Sequence, residues 1–183
     1  MVKIEYECRK CEKTVSLEQS SKINYCPDCL TVLGIKPQPK HWLFQFNPSI
    51  YKWFDRIKET NDPEQWLINQ YVKLIHKDDL VAVWCSGKQA GIYALGQIVS
   101  IPAKSFLNLN QEKYFLNKSD VVKFQENFSA YVKHNKVRLE NPLLQEECRE
   151  DNVLSEMQVF AKPQGTNFRL TPEQWHRIEE LIG

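Results

Sequence analysis

Two Cys-x-x-Cys pairs open the chain, Cys8-Arg9-Lys10-Cys11 and Cys26-Pro27-Asp28-Cys29, with positions 12–25 between them. Two thiolates at this spacing, on a tight knuckle, reach one tetrahedral zinc, and the second pair completes its shell. In a reduced compartment disulfides are the weaker reading. A redox Cys-x-x-Cys needs one pair in a strand–helix context, not two pairs so close together. Residues 3–7 and 23–25 alternate as short strands do, which suits a zinc ribbon over residues 1–34. A segment of roughly 35 residues buries too little apolar surface to fold alone. Structural zinc supplies the difference, about 10–16 kcal/mol apparent in finger peptides. One structural Zn²⁺ is therefore expected at Cys8, Cys11, Cys26 and Cys29. Four protein ligands leave no open position for water, so the metal is structural rather than catalytic. A zinc deaminase needs His-x-Glu upstream of Pro-Cys-x-x-Cys; here the first histidine is His41, beyond all four cysteines, and the dipeptide is Cys26-Pro27.

The remaining residues are too many for an appendage and suit one ordinary domain, since the whole chain has 183 residues. Hydrophobic residues make up 42% and charged residues 26%, which excludes a collagenous or disordered chain. Mean hydropathy is −0.50 and no apolar run approaches 18 residues, so no transmembrane helix is expected. Residues 1–8 alternate apolar and charged side chains without an apolar signal core, and the expected location is the cytoplasm. A net charge of +1 argues against a basic coat protein but permits a local nucleic-acid patch.

Residues 35–40, with Pro37 and Pro39, read as a stiff linker, and residues 41–183 as the second domain. His41-Trp42-Leu43-Phe44-Gln45-Phe46, stopped by Asn47-Pro48, predicts a buried strand. Ser49 caps a predicted helix over 50–58 with Ile50, Trp53, Phe54 and Ile57 on one face. Asp62-Pro63 is a second start signal; residues 66–75 suit strand or helix. Residues 80–85 predict a central strand, 86–91 a turn, and 92–101 an antiparallel return strand. Further strands are expected at 128–133 and 137–139. Thr171-Pro172-Glu173 opens a last helix whose inner face is Trp175, Ile178, Leu181 and Ile182. Strands dominate, with helices at the ends, and no βαβ alternation is visible. Cys85 reads as a small buried hydrophobe and Cys148 as an ordinary free thiol.

Residues 113–138 carry Lys113, Lys118, Lys123, Lys133, Lys136 and Arg138 against Asp120 and Glu126. This is either a solvated face or a phosphate-contacting edge interleaved with Phe115, Phe124 and Tyr131. No P-loop is present, because Gly87, Gly91 and Gly96 are wrongly spaced. His76-Lys77-Asp78-Asp79 reads as a charged turn rather than an acid–base centre.

From Trp42 onward the chain resembles an EVE domain, a branch of the PUA-like superfamily. The segments that carry the likeness are Trp42-Leu43-Phe44-Gln45-Phe46-Asn47-Pro48, residues 75–80, Trp84-Cys85-Ser86-Gly87-Lys88-Gln89-Ala90-Gly91-Ile92-Tyr93-Ala94, and Pro163-Gln164-Gly165-Thr166-Asn167-Phe168-Arg169-Leu170-Thr171-Pro172-Glu173. There are two departures. Asp78-Asp79 stands where the family usually has Gly-Asp, and Cys85 stands where bacterial relatives often have an acidic residue. The resemblance implies an α+β fold, a small closed PUA-like mixed β-barrel with flanking helices, here preceded by the ribbon. It also implies a non-catalytic reader that holds one flipped, modified base, most of all modified cytosine in DNA, in service of a modification-dependent restriction or regulatory system with a separate nuclease or restriction subunit. Residues compatible with the base pocket are Asn47, Trp84, Cys85, Ser86 and Gly87 on one side and Gln164, Gly165, Thr166 and Phe168 on the other. Of these, Trp84 offers a stacking face and Asn47 a donor and an acceptor. The alternatives are a reader of methyladenine-like RNA and a zinc-ribbon protein-interaction adaptor.

Overall fold

Strands that are apolar on both faces mark the middle of a sheet covered on both sides, and two such runs organise this chain. In the computed structural model, residues 3–8, 11–18, 25–29, 34–35 and 38–182 are described, and the chain divides into two compact units, Met1–Gln38 and Pro39–Gly183. In the first unit β1 (Lys3–Glu7) pairs antiparallel with β2 (Thr14–Glu18) and with β3 (Gly34–Ile35). Ile35, read in the sequence as the start of the linker, is thus part of a strand. Of the strand expected at 23–25, residues 23 and 24 lie outside the described residues. Among the described residues no helix is long and apolar enough to cross a membrane.

The second unit contains β4 (His41–Phe46), α1 (Trp53–Glu59), β5 (Glu64–Ile68), β6 (Leu80–Cys85), β7 (Gly91–Ile98), β8 (Ala103–Lys104), α2 (Leu109–Glu112), α3 (Lys118–Glu126), β9 (Phe128–Val137), β10 (Leu143–Leu144), α4 (Gln145–Glu150), a 3₁₀ turn (Leu154–Glu156), α5 (Gln158–Ala161), β11 (Asn167–Leu170) and α6 (Pro172–Ile182). The sheet order is β11-β4-β6-β7-β9-β5, with β10 on β7 and β8 on β9. In this sheet β4 and β6 run parallel; the other pairs are antiparallel.

Strand alternation sorts the side chains into two cores. Trp42, Phe44 and Phe46 of β4, with Val81, Val83 and Cys85 of β6, fill the inside of the curled sheet with Trp53 and Trp66. Leu43, Ala82 and Trp84 point the other way, into a core with Leu154, Trp175 and Ile178. The sheet's two ends do not pair as strands. Asn167, fully buried on β11, joins them instead: its Oδ1 accepts from the Asn69 amide (3.0 Å), and its Nδ2 donates to the Leu67 carbonyl of β5 (3.0 Å). The barrel expected from the resemblance is therefore an α+β, curled sheet closed along one seam by a side chain, not by a ladder.

Four sequence expectations change in this unit. The Asp62-Pro63 signal starts β5, not a helix, because Glu64, Gln65 and Trp66 are all buried there. Helix α1 begins at Trp53, since Asn47 Oδ1 captures the Ser49 amide (2.8 Å) and Tyr51 makes a bridge to Phe115. The two strands expected at 128–133 and 137–139 are one strand, β9, whose charged stretch carries the buried His134 inward. The last helix starts as read: Thr171 Oγ1 accepts from the Gln174 amide and Gln174 Oε1 from that of Thr171, a reciprocal cap. Trp175, Ile178 and Ile182 are buried on α6, but Leu181 is exposed and Gln174 takes its place.

Candidate functional site

The four paired cysteines converge in the first unit. Four sulfurs each about 2.3 Å from one tetrahedral zinc lie about 3.8 Å apart. Here Cys8 Sγ is 3.3 Å from Cys29 Sγ, and Cys11 Sγ is 3.5 Å from Cys26 Sγ and 3.9 Å from Cys29 Sγ. All four sulfurs fall within 4.8 Å of one another, so the donor set fits a single soft metal ion. The knuckle after the first pair is closed by the Glu12 amide donating to the Cys8 carbonyl (2.8 Å), with Glu12 at φ 57°.

In the second unit a cavity of about 530 Å³ lies at the seam, between the end of β4, the strand β5, the loop 163–166 and the segment from α2 to α3. Its apolar walls include Phe46, Tyr51, Trp66, Phe115 and Phe124; its polar rim includes Asn47, Ser86 and Thr166. The unpaired edge of β5 faces this seam. Amide side chains satisfy it: Gln111 accepts from the Gln65 N–H (2.9 Å) and donates to the Gln65 carbonyl (2.7 Å), as Asn167 serves Leu67. Gln45 Nε2 donates to the carbonyls of Pro163 and Gly165, which fixes the loop at the rim.

Glu64 is fully buried at the cavity's edge and is saturated. Its carboxylate accepts from Tyr51 Oη (2.7 Å), Trp53 Nε1 (3.0 Å) and His134 Nε2 (2.8 Å), and pairs with Arg56 Nε (3.4 Å). Burial, then the Glu64 charge, pushes the Tyr51 hydroxyl far up, so it stays a neutral donor. Three hydrogen bonds and one ion pair thus engage both oxygens of this buried carboxylate from within the protein. Asp120, the other carboxylate of the cavity, is paired with Lys123 at 3.3 Å.

Of the nine residues suggested for a base pocket, Asn47, Ser86, Gly87, Gln164, Gly165 and Thr166 line this cavity. Trp84, Cys85 and Phe168 do not. Trp84, 2% exposed, packs edge-on to Phe160 (5.7 Å) in the helix-covered core. Cys85 lies in the inner core, where burial pushes its thiol up to about 12. Phe168 lies under Gly165, where any Cβ would stand 2.6 Å from its ring. The walls instead include Tyr51 and Trp66, neither of which the sequence reading assigned to the pocket, and Phe115 and Phe124, whose place beside lysines was the available signal.

The second unit is thus a curled mixed sheet with helices on its outer face and a hollow at the seam. The EVE domain family matches residues 40–181. The chain belongs to the EVE family. Human THYN1, solved in complex with 5-methylcytosine-containing DNA, is similar at 15% identity and TM-score 0.58 over 78% of this chain and 97% of that one. A hypothetical protein from Leishmania major has 18% identity and TM-score 0.60, covering 79% and 95%. A mutant of the ASCH protein from Zymomonas mobilis has 11% identity and TM-score 0.51, covering 78% and 98%. These likenesses concern the fold. No curated protein matches the chain.

Proposed function

We propose that the second unit is a non-catalytic reader that holds one flipped, modified base, most of all modified cytosine in DNA, in the seam cavity. The observation that carries this is the cavity itself: aromatic walls for a planar ring, a polar rim for its edge, and a volume in the range of small-molecule sites. Asn47 supplies its Nδ2 donor at the rim, its Oδ1 already accepting from the Ser49 amide, and Ser86, Gly87, Gln164, Gly165 and Thr166 approach the base or its backbone. The THYN1 complex with methylcytosine DNA supports the ligand class. The saturated Glu64 and the paired Asp120 support binding without catalysis. The first unit, Met1–Gln38, forms a ribbon on one structural Zn²⁺, and the second, Pro39–Gly183, is the reader. Such a module serves a modification-dependent restriction or regulatory system in the cytoplasm, with the nuclease on a separate chain.

One buried methyl contributes about 0.8 kcal/mol, or roughly fourfold in affinity. A panel of cytosine, 5-methyl- and 5-hydroxymethylcytosine duplexes, beside methyladenine RNA, tests the reading. The expected result is a few-fold preference for a modified cytosine over the plain base. Ile50→Trp, which fills the cavity from its half-exposed side, should abolish that preference while leaving the circular dichroism spectrum intact. Equal affinity for plain and modified strands would overturn the reading, and selectivity for the RNA would move it to the other backbone.

A further inference from the structure

Beside the seam cavity, across the ridge made by Ser86 and Gly87, lies a second hollow of about 130 Å³. The two share Gln45, Ser86, Gly87 and Pro163. At about four water volumes, the second is too small for a nucleoside. The outer wall is Arg149, whose guanidinium lies 4.3 Å over the Phe160 ring, and Phe160 in turn packs on the buried Trp84. Arg149 thus has a stacked platform but, among the described residues, no carboxylate within ion-pair distance. The acids on α4 and at its C-cap are engaged or outside the hollow's lining: Glu147 accepts from the Leu144 amide, Asp151 is paired with Arg177, and Glu146 and Glu150 are exposed and do not line the hollow. Gln145 adds a side-chain amide to the same wall. Gly87 stands at φ 91° with open space where a Cβ would be, and it lines the hollow. Arg is the side chain that binds phosphate by a planar fork, and stacking on a ring keeps that fork ordered.

We infer that this hollow is a phosphate subsite: Arg149, with Gln145 and the Gly87 backbone, holds the strand phosphate next to the base bound in the seam cavity. The inference rests on the reader proposal for its ligand but on separate residues. A strand crossing the Ser86–Gly87 ridge would place its base on one side and its phosphate on the other. Phosphate contacts position a strand without reading its sequence. Arg149→Ala should therefore weaken plain and modified strands alike, about tenfold at low salt, and leave the modified-to-plain ratio unchanged. The slope of log affinity against log salt should shrink by about 0.7–0.9, one phosphate's worth. Gln145→Ala should weaken both strands equally with no change of slope.

The test is a salt titration of wild type, Arg149→Ala and Gln145→Ala against plain and modified duplexes. An unchanged slope in Arg149→Ala, with the wild-type preference for the modified strand intact, overturns the subsite and leaves the reader standing. A reduced slope in a protein that shows no preference keeps the subsite and removes the base pocket. Absence of binding to any strand overturns both.

Discussion

Asp78 stands at φ 74°, in the left-handed region that disfavours every residue with a Cβ and that glycine enters freely. Its neighbour Asp79 is the structural acid. Buried before β6, Asp79 accepts from Trp42 Nε1 (2.8 Å) and from the amides of His76 and Lys40 (2.9 Å each), tying three segments to the start of the central strand. The departure from Gly-Asp thus falls on the position where a side chain strains the turn, while the position that makes the bonds keeps its carboxylate. Asp78→Gly should stabilise the unit by up to about 1 kcal/mol, and Asp78→Val, β-branched at positive φ, should destabilise it by more than that. Urea midpoints at constant m-value will show both signs. Parity is the residue-scale limit on reading this chain. Alternation along 80–85 says that Trp84 and Cys85 face opposite ways, but with both faces buried it does not say which face meets a ligand. The sequence reading offers Trp84 to the base, and its packing with Phe160 and Trp175 behind the sheet takes it out of the seam cavity.

Elements with local signals were the legible ones. Thr171, Pro172 and Gln174 cap α6 through contacts within four residues, so the sequence alone suffices for its start. The nature of β5 depends on distant partners: Glu64 must reach Tyr51, Trp53, Arg56 and His134, and Asn167 must reach Leu67 across the seam, separations that no local pattern carries. The joint between α6 and the α4 end is of the same distant kind and has a pH signature. Asp151 accepts from Arg177 Nε (2.7 Å) and from the amides of Leu154 and Val153. The Arg177 bond, followed by those amides, holds its carboxyl below the usual carboxylate range. A depressed carboxyl contributes stability that is fully present above its unfolded pKa and is lost as pH falls through the folded one. Asp151→Asn should therefore lower the melting temperature at pH 7 by a few degrees, the effect of about 1 kcal/mol in a unit of this size. That gap should narrow as the pH falls below about 4, which melting curves from pH 7 to 3 will follow. A gap that stays constant would show that the charge is not what holds the joint.

At the scale of the whole chain, the two units differ in what keeps them folded. Pro39–Gly183 has two large apolar cores, one inside the curled sheet and one behind it, and no need of a metal. Met1–Gln38 buries Tyr6, Cys8 and Cys26, with Cys11, Val15, Leu17 and Cys29 half-covered against them. Among the described residues, more than half of that small cluster is made of the cysteines themselves. A core built of ligands has little apolar surface to offer once the ligands separate, so metal binding and folding are one equilibrium there. Native mass spectrometry should find one zinc per chain. A strong chelator should remove it and, in the same step, collapse the amide resonances of β1 and β2 while those of β4, β6 and β7 stay where they were. Cys26→Ser should reproduce the chelated spectrum without chelator, because three thiolates leave an open shell that water fills weakly. Persistence of the β1–β2 resonances in metal-free protein would mean that this unit is held by something other than its cysteines. A simultaneous loss of the β4, β6 and β7 resonances would mean that the second unit draws its stability from the first.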